Sequence, residues 1–115
     1  MPDLLEEGLR LFNEGKFYEA HEVWEDLWRS TPETSLKACY QGLIQAAVGL
    51  HHRGHQNPHG ARSQLQKSIR NLEAGASEAT GLDVPGLVRQ LADVLERIDQ
   101  SASSSVGTLR IARLK

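Results

Sequence analysis

The segment from Phe12 to Arg29 constrains this chain more than any other. It holds both tryptophans, both phenylalanines and one of the two tyrosines, so much of the bulk that can fill a core arrives in one place. At about 100° per residue, Phe17, Ala20, His21, Trp24, Leu27 and Trp28 fall on one broad arc of a helix. The carboxylates Glu19, Glu22, Glu25 and Asp26 are interleaved with them. His21 and Glu25 sit at the edge of the arc and Glu22 lies beyond it, while Glu19 and Asp26 point away. Such a helix has to bury its apolar arc against a neighbouring element.

The punctuation on either side sets the neighbours. Leu4, Leu5, Leu9 and Phe12 repeat at helical spacing and predict a first helix from Pro2 or Asp3 through about Asn13. Asp3, Glu6 and Glu7 suit the positive end of its dipole. Gly15 stops it, because glycine takes the left-handed cap conformation without penalty. So short a connection makes the first two helices an antiparallel hairpin. Ser30-Thr31-Pro32-Glu33 ends the second helix and opens the third, with Ser or Thr as N-cap and proline in the first turn.

The third helix is the longest, from about Glu33 to Gly54. One face carries Tyr40, Ile44, Ala47, Val48 and His51, with Gln41, Gln45 and His52 alongside. The other carries Ala38, Gly42, Ala46 and Gly49, small enough for another helix to approach closely. His51 to His59 reads as a loop. Asn57 then caps a fourth helix that starts at Pro58 and bears the stripe Ala61, Leu65, Ile69 and Leu72. Gly75 and Gly81 bracket a polar connection. Asp83-Val84-Pro85 opens a fifth helix with Leu87, Leu91, Val94, Leu95 and Ile98.

Residues 101–107 are a low-complexity, Ser-rich stretch. Residues 108–115 carry three positive charges with Leu109 and Ile111 alternating. For this tail three readings stand: disorder, which is the default for a terminus, a strand laid on a neighbour, or an arm to a partner chain. No stretch reads as a sheet. The expectation is an all-α fold: a single-domain helical bundle of about five helices over 1–100, with the second and third as its central antiparallel pair. A flexible Ser-rich linker and basic tail follow over 101–115.

At 115 residues with a net charge of −2 the chain can bury a core without staples, and nothing pulls it toward nucleic acid. A homo-oligomer stays open, with Leu109 and Ile111 as a candidate device. The single Cys39 excludes an internal disulfide and suits a reducing compartment. No segment approaches the roughly 20 apolar residues that span a bilayer, and the N-terminus is acidic where a signal peptide is basic. A cytoplasmic domain is expected.

Between the second and third helices a polar cluster of Glu19, His21, Glu22, Glu25, Gln41, Gln45 and His51 is expected. Imidazole and carboxylate from facing helices is how bundle-core metal sites are built, and His21, Glu22, Glu25 and His51 are the candidate ligands for a divalent metal. Their spacing matches no established motif: there is no His-Glu-x-x-His, and the Glu-x-x-His of di-iron bundles is absent from the second helix. Three functions compete. One is a module binding a metal or small ligand. The second is a scaffold in which His21, Gln41 and His51 form a buried hydrogen-bond network. The third is a metal-dependent, hydrolase-like enzyme in which Glu22 or Glu25 activates a metal-bound water. His55 and His59 are expected to be exposed, and Cys39 to be a buried filler.

Phe12-Asn13-x-Gly15-x-Phe17-x-Glu19-Ala20-His21-Glu22-x-Trp24-Glu25-x-x-Trp28 resembles the signature of the domain-of-unknown-function 309 family. Gln41-Gly42-Leu43-Ile44-Gln45, Leu50-His51-His52, Gly54 and Gly60-Ala61 resemble its second block. The resemblance covers about Leu4 to Leu72. It implies a small all-α bundle, with Glu19, His21, Glu22, Gln41 and His51 as its polar positions, and it implies no particular activity. The turn Gly54-His55-Gln56-Asn57 is longer than the Gly-Asn expected from that family.

Overall fold

The computed structural model describes residues 3–32, 34–75, 77–99 and 109–113. Five α-helices each pack on the next: α1 (Leu4–Asn13), α2 (Phe17–Arg29), α3 (Thr34–Gly54), α4 (Pro58–Ala74) and α5 (Val84–Asp99). A 3-10 turn, Ser77–Thr80, precedes α5. Among the described residues there is no strand, only an isolated bridge between Leu82 and Arg113. The all-α fold and its antiparallel α2–α3 pair are as the periodicity predicts.

Side chains open three of the helices. Oδ1 of Asp3, Asn57 and Asp83 accepts from the backbone N–H of Glu6, Gly60 and Gly86, at 3.2, 3.0 and 3.0 Å, which satisfies one orphan donor each. Gly15 closes α1 at φ 82°. Its N–H donates to Phe12 O and the next N–H, of Lys16, to Leu11 O, the paired bonds of a left-handed terminator. The third helix ends at Gly54, as expected. Gly54 stays helical, and the left-handed residue is Gln56 at φ 59°, with Gln56 N–H on Arg53 O and Asn57 N–H on His52 O. The expected loop from His51 is therefore mostly helix. Ser30 and Thr31 differ too: both hydroxyls donate to Leu27 O, at 3.0 and 2.7 Å, so they finish α2 rather than cap α3.

The small-residue face of α3 receives α4, in the largest helix–helix interface. A Cβ on Gly42 would meet Leu72, and one on Gly49 would meet Leu65. Ser68 is fully buried in this contact and donates to Gly42 O at 2.6 Å. The opposite face of α3 meets α2, which runs antiparallel to it. Lys37 Nζ lies 4.1 Å from the Trp28 ring centroid at one end, and Tyr18 packs on His51 at the other. On the far side of α2, the fully buried Trp24 and Phe12 rings lie 5.8 Å apart, and the Trp24 indole N–H reaches Leu5 O.

Of the three readings of the tail, a strand laid on a neighbour describes residues 109–113 better than disorder. They lie extended across the bundle, with Leu109 and Ile111 buried. Asn13 Nδ2 donates to Ile111 O at 3.1 Å while its Oδ1 accepts from Ile111 N at 2.8 Å. Gln90 treats Arg110 the same way from α5, at 2.8 and 3.1 Å. Asp83 N–H donates to Ala112 O, and Arg113 pairs with Glu6. Two side-chain amides thus stand in for the neighbouring strands of a sheet, one on each side of an extended segment. The Ser-rich linker and the boundary drawn at residue 100 lie outside the described residues.

Candidate functional site

The seven predicted residues do not form one cluster. Three of them, His21, Glu22 and Glu25, share one side of α2. His21 is half-buried, and both ring nitrogens face oxygen: Nδ1 is 2.8 Å from Tyr18 O and Nε2 is 2.7 Å from Glu25 Oε1. A carbonyl only accepts, so Nδ1 carries a proton. The other oxygen of Glu25 receives Arg29, which also holds Asp26 at 2.8 Å. This chain of ion pairs stays within one helix at i, i+3 and i+4 spacing. Glu22 is exposed beside it, in a shallow hollow of about 320 Å³ shared with Tyr18 and Arg29.

Two others lie elsewhere on α3. Gln45 faces α4, where its Oε1 accepts from Asn71 Nδ2 at 2.7 Å, so it does not meet His21. Gln41 is half-buried and stands ten residues before His51, about 15 Å along the helix. Among the described residues no hydrogen bond joins His21, Gln41 and His51, and both His21 nitrogens face other partners.

The remaining two, Glu19 and His51, meet residues that periodicity did not single out. A cleft of about 540 Å³ opens where α2 begins and α3 ends, lined by Lys16, Phe17, Tyr18, Glu19, Leu50, His51, Arg53, His55 and Leu109. Among the described residues Tyr18 is the large hydrophobic side chain left exposed, at 49%. Its ring packs on His21 at 4.9 Å and on His51 at 5.2 Å, and His51 packs on His55 at 4.1 Å between centroids. His55 is exposed as expected yet belongs to this row of rings, with Nδ1 2.9 Å from His51 O. Cations flank the row: Lys16, 3.4 Å from Glu14, and the half-buried Arg53. Glu19 points outward, as the helical arc predicts, and lines the cleft from there.

Protonation of His51 is disfavoured. Burial lowers its pKa below 6.5 first, then the neighbouring His55, His52 and His21, against a raising contribution from Glu19. A neutral His51 offers an acceptor or a donor to whatever enters the cleft. The metal expectation fits less well. Among the described residues no three His, Cys, Asp or Glu side chains are arranged to hold an ion. His21 has both nitrogens engaged. Glu25 stands seven residues along α2 from Tyr18, the partner of His51, about 10 Å away. Cys39 is fully buried and far from thiolate character, its pKa pushed up to about 11 by burial.

The family model described as "Domain of unknown function (DUF309)" matches residues 5–64. The chain belongs to the DUF309 family. The match spans α1, α2, α3 and the start of α4, and so takes in every cleft residue except Leu109. Among relatives, an "Uncharacterized protein" of Aquifex aeolicus is 30% identical over 93 residues, 81% of this chain and 28% of that protein. The "Uncharacterized protein YpuF" of Bacillus subtilis is 38% identical over 85 residues, 72% of this chain and 49% of that protein. This DUF309 chain therefore spans between about a quarter and a half of the length of these relatives. No helix among its described residues is long and apolar enough to cross a membrane.

Lys16, Tyr18 and Arg53 are the site residues that sequence reasoning missed. Tyr18 is absent from the buried arc of α2 and was given no role. An aromatic side chain at the second residue of a helix, off the buried arc, was the available signal.

Proposed function

We propose that this domain binds a small anionic ligand with a flat aromatic part, in the cleft between the start of α2 and the end of α3. The observation that carries the reading is Tyr18: a half-exposed ring that continues a row of imidazoles and faces the same space as Lys16 and Arg53. A flat group stacks on such a ring, and an anionic group is drawn chiefly to Arg53, because Lys16 is shared with Glu14 and Glu19 lines the same cleft. Phe17, Leu50 and Leu109 supply an apolar floor, the usual composition of a small-molecule site.

The His21–Glu25–Arg29 chain is assigned a structural role, because its polar atoms are satisfied along one helix. The hydrolase-like reading has less support: Glu22 and Glu25, the carboxylates it needs, lie outside the lining of the cleft.

Calorimetric titration tests the proposal with three probes: adenosine 5′-monophosphate, adenosine and inorganic phosphate. The monophosphate is expected to bind more tightly than either part alone. Tyr18→Ala and Arg53→Ala should each weaken it by about tenfold, the scale of one stacked ring or one charged contact. Absence of binding at millimolar monophosphate, or binding indifferent to both substitutions, would overturn the reading.

A further inference from the structure

We infer that residues 109–113 form a docking strap that is the movable wall of the cleft, so that strap docking and ligand binding are coupled; the ligand half of this rests on the function proposed above. Leu109 carries the argument. It is the first described residue of the strap, it is buried in the core, and it lines the cleft with Phe17 and Leu50. The other cleft residues belong to α2, to α3 or to the turns beside them. Leu109 alone arrives from a segment outside the family match.

What holds Leu109 in place is a short set of reversible contacts. Asn13 and Gln90 each grip one backbone residue through a paired donor and acceptor. Asp83 N–H holds Ala112, Glu6 pairs with Arg113, and Ile111 fills an apolar socket two residues from Leu109. Within the described residues the isolated bridge between Leu82 and Arg113 is the strap's one strand-like pairing, and none of these contacts belongs to a helix or a longer sheet ladder, so the strap can leave without unwinding any helix. Segments of this kind open locally at less cost than the whole fold. A ligand that touches Leu109 binds the docked form better. Linkage then requires it to favour docking, and docking to favour it, by the same factor. If a substitution lowers the docked fraction to about a tenth, the apparent affinity falls about tenfold.

Gln90 is the residue to change, because it holds Arg110 and does not line the cleft. Hydrogen exchange of the Arg110 and Ile111 amides is read in the full chain and in Gln90→Ala, with and without adenosine 5′-monophosphate. In the full chain the probe should slow both amides. Gln90→Ala should speed their exchange and weaken the probe several-fold. Unchanged affinity in a variant whose strap amides exchange faster would overturn the coupling while leaving the ligand proposal intact.

A ligand-free readout keeps the inference testable if the probe does not bind. The Leu50 methyl and Phe17 ring signals should shift in Gln90→Ala as the wall withdraws. Strap amides that exchange faster beside unmoved Leu50 and Phe17 signals would show that the strap is no wall of the cleft.

Discussion

Gly8 and Trp24 occupy adjoining space so closely that any side chain on α1 at this point would enter the indole. A Cβ built on Gly8 overlaps the Nε1 edge of the Trp24 ring, which is fully buried and bonded to Leu5 O one turn earlier on α1. The absence of a side chain at residue 8 lets α1 and α2 approach this closely at Trp24.

Gly8→Ala should therefore destabilise the fold. Overpacking of this kind costs about 1–3 kcal/mol, which exceeds the roughly 1 kcal/mol that alanine gains over glycine in an open helix. Urea unfolding followed by tryptophan fluorescence measures the balance. A more stable Gly8→Ala would mean that Trp24 has room to turn.

The end of α3 offers the opposite sign. Gln56 holds φ 59° with a side chain that gains nothing from it, and Gly54 is helical with nothing within 4 Å of a built Cβ. Gln56→Gly relieves a left-handed residue of about 1 kcal/mol. Gly54→Ala removes chain entropy and gains up to about 1 kcal/mol. Both should raise the unfolding midpoint, and the sites are close enough that the double variant has to be measured rather than summed.

His51 makes the fold acid-sensitive. Its pKa is lowered from 6.5 by burial and by His55, His52 and His21, with Glu19 opposing. A proton is thus harder to place on His51 in the native chain than in the unfolded one. The stability this contributes is complete above the unfolded value and is lost as pH falls through the lowered native value. Proton-detected titration should place His51 below 6.5. The stability gap between the full chain and His51→Gln should narrow from pH 7.5 to pH 5, and a gap that widens would contradict the assignment.

Cys39 should be chemically silent while the chain is folded. It is fully buried, and its thiol is raised from 9.0 to about 11, which alone cuts the thiolate fraction about a hundredfold. An aromatic disulfide reagent at pH 8 should react slowly in buffer and at the ordinary thiol rate in denaturant. Equal rates would show that α3 opens at Cys39.

Much of the helical framework is legible in local chemistry. Gly15 ends α1 because a left-handed residue is required there, and Asn57-Pro58 and Asp83 open α4 and α5 because they satisfy or omit the N–H groups at a helix start. The stripe Gly42, Ala46 and Gly49 announces a close helix, and α4 fills it. Ser30 and Thr31 were misassigned for a local reason as well: a hydroxyl serves a free carbonyl as readily as a free N–H, and here Leu27 O was the nearer one.

The candidate site was only partly legible. A wheel places His21, Glu22 and Glu25 on one side of α2, where they are, but it carries no register between α2 and α3. Tyr18 faces His51 while Gln45 turns to Asn71, and neither pairing is written in either helix alone.

By itself, then, the sequence determined which segments are helices, where several of them start or stop, and which faces are apolar. Those properties depend on the dihedral preferences and hydrogen-bonding groups of residues within one or two turns. Only the tertiary structure decided that Gly8 admits Trp24, that Asn13 and Gln90 hold a strap 98 and 20 residues away, and that Tyr18, His51 and Leu109 share a cleft. Such contacts depend on distances between elements. Those distances follow from how several side chains pack together, which no short window of residues contains.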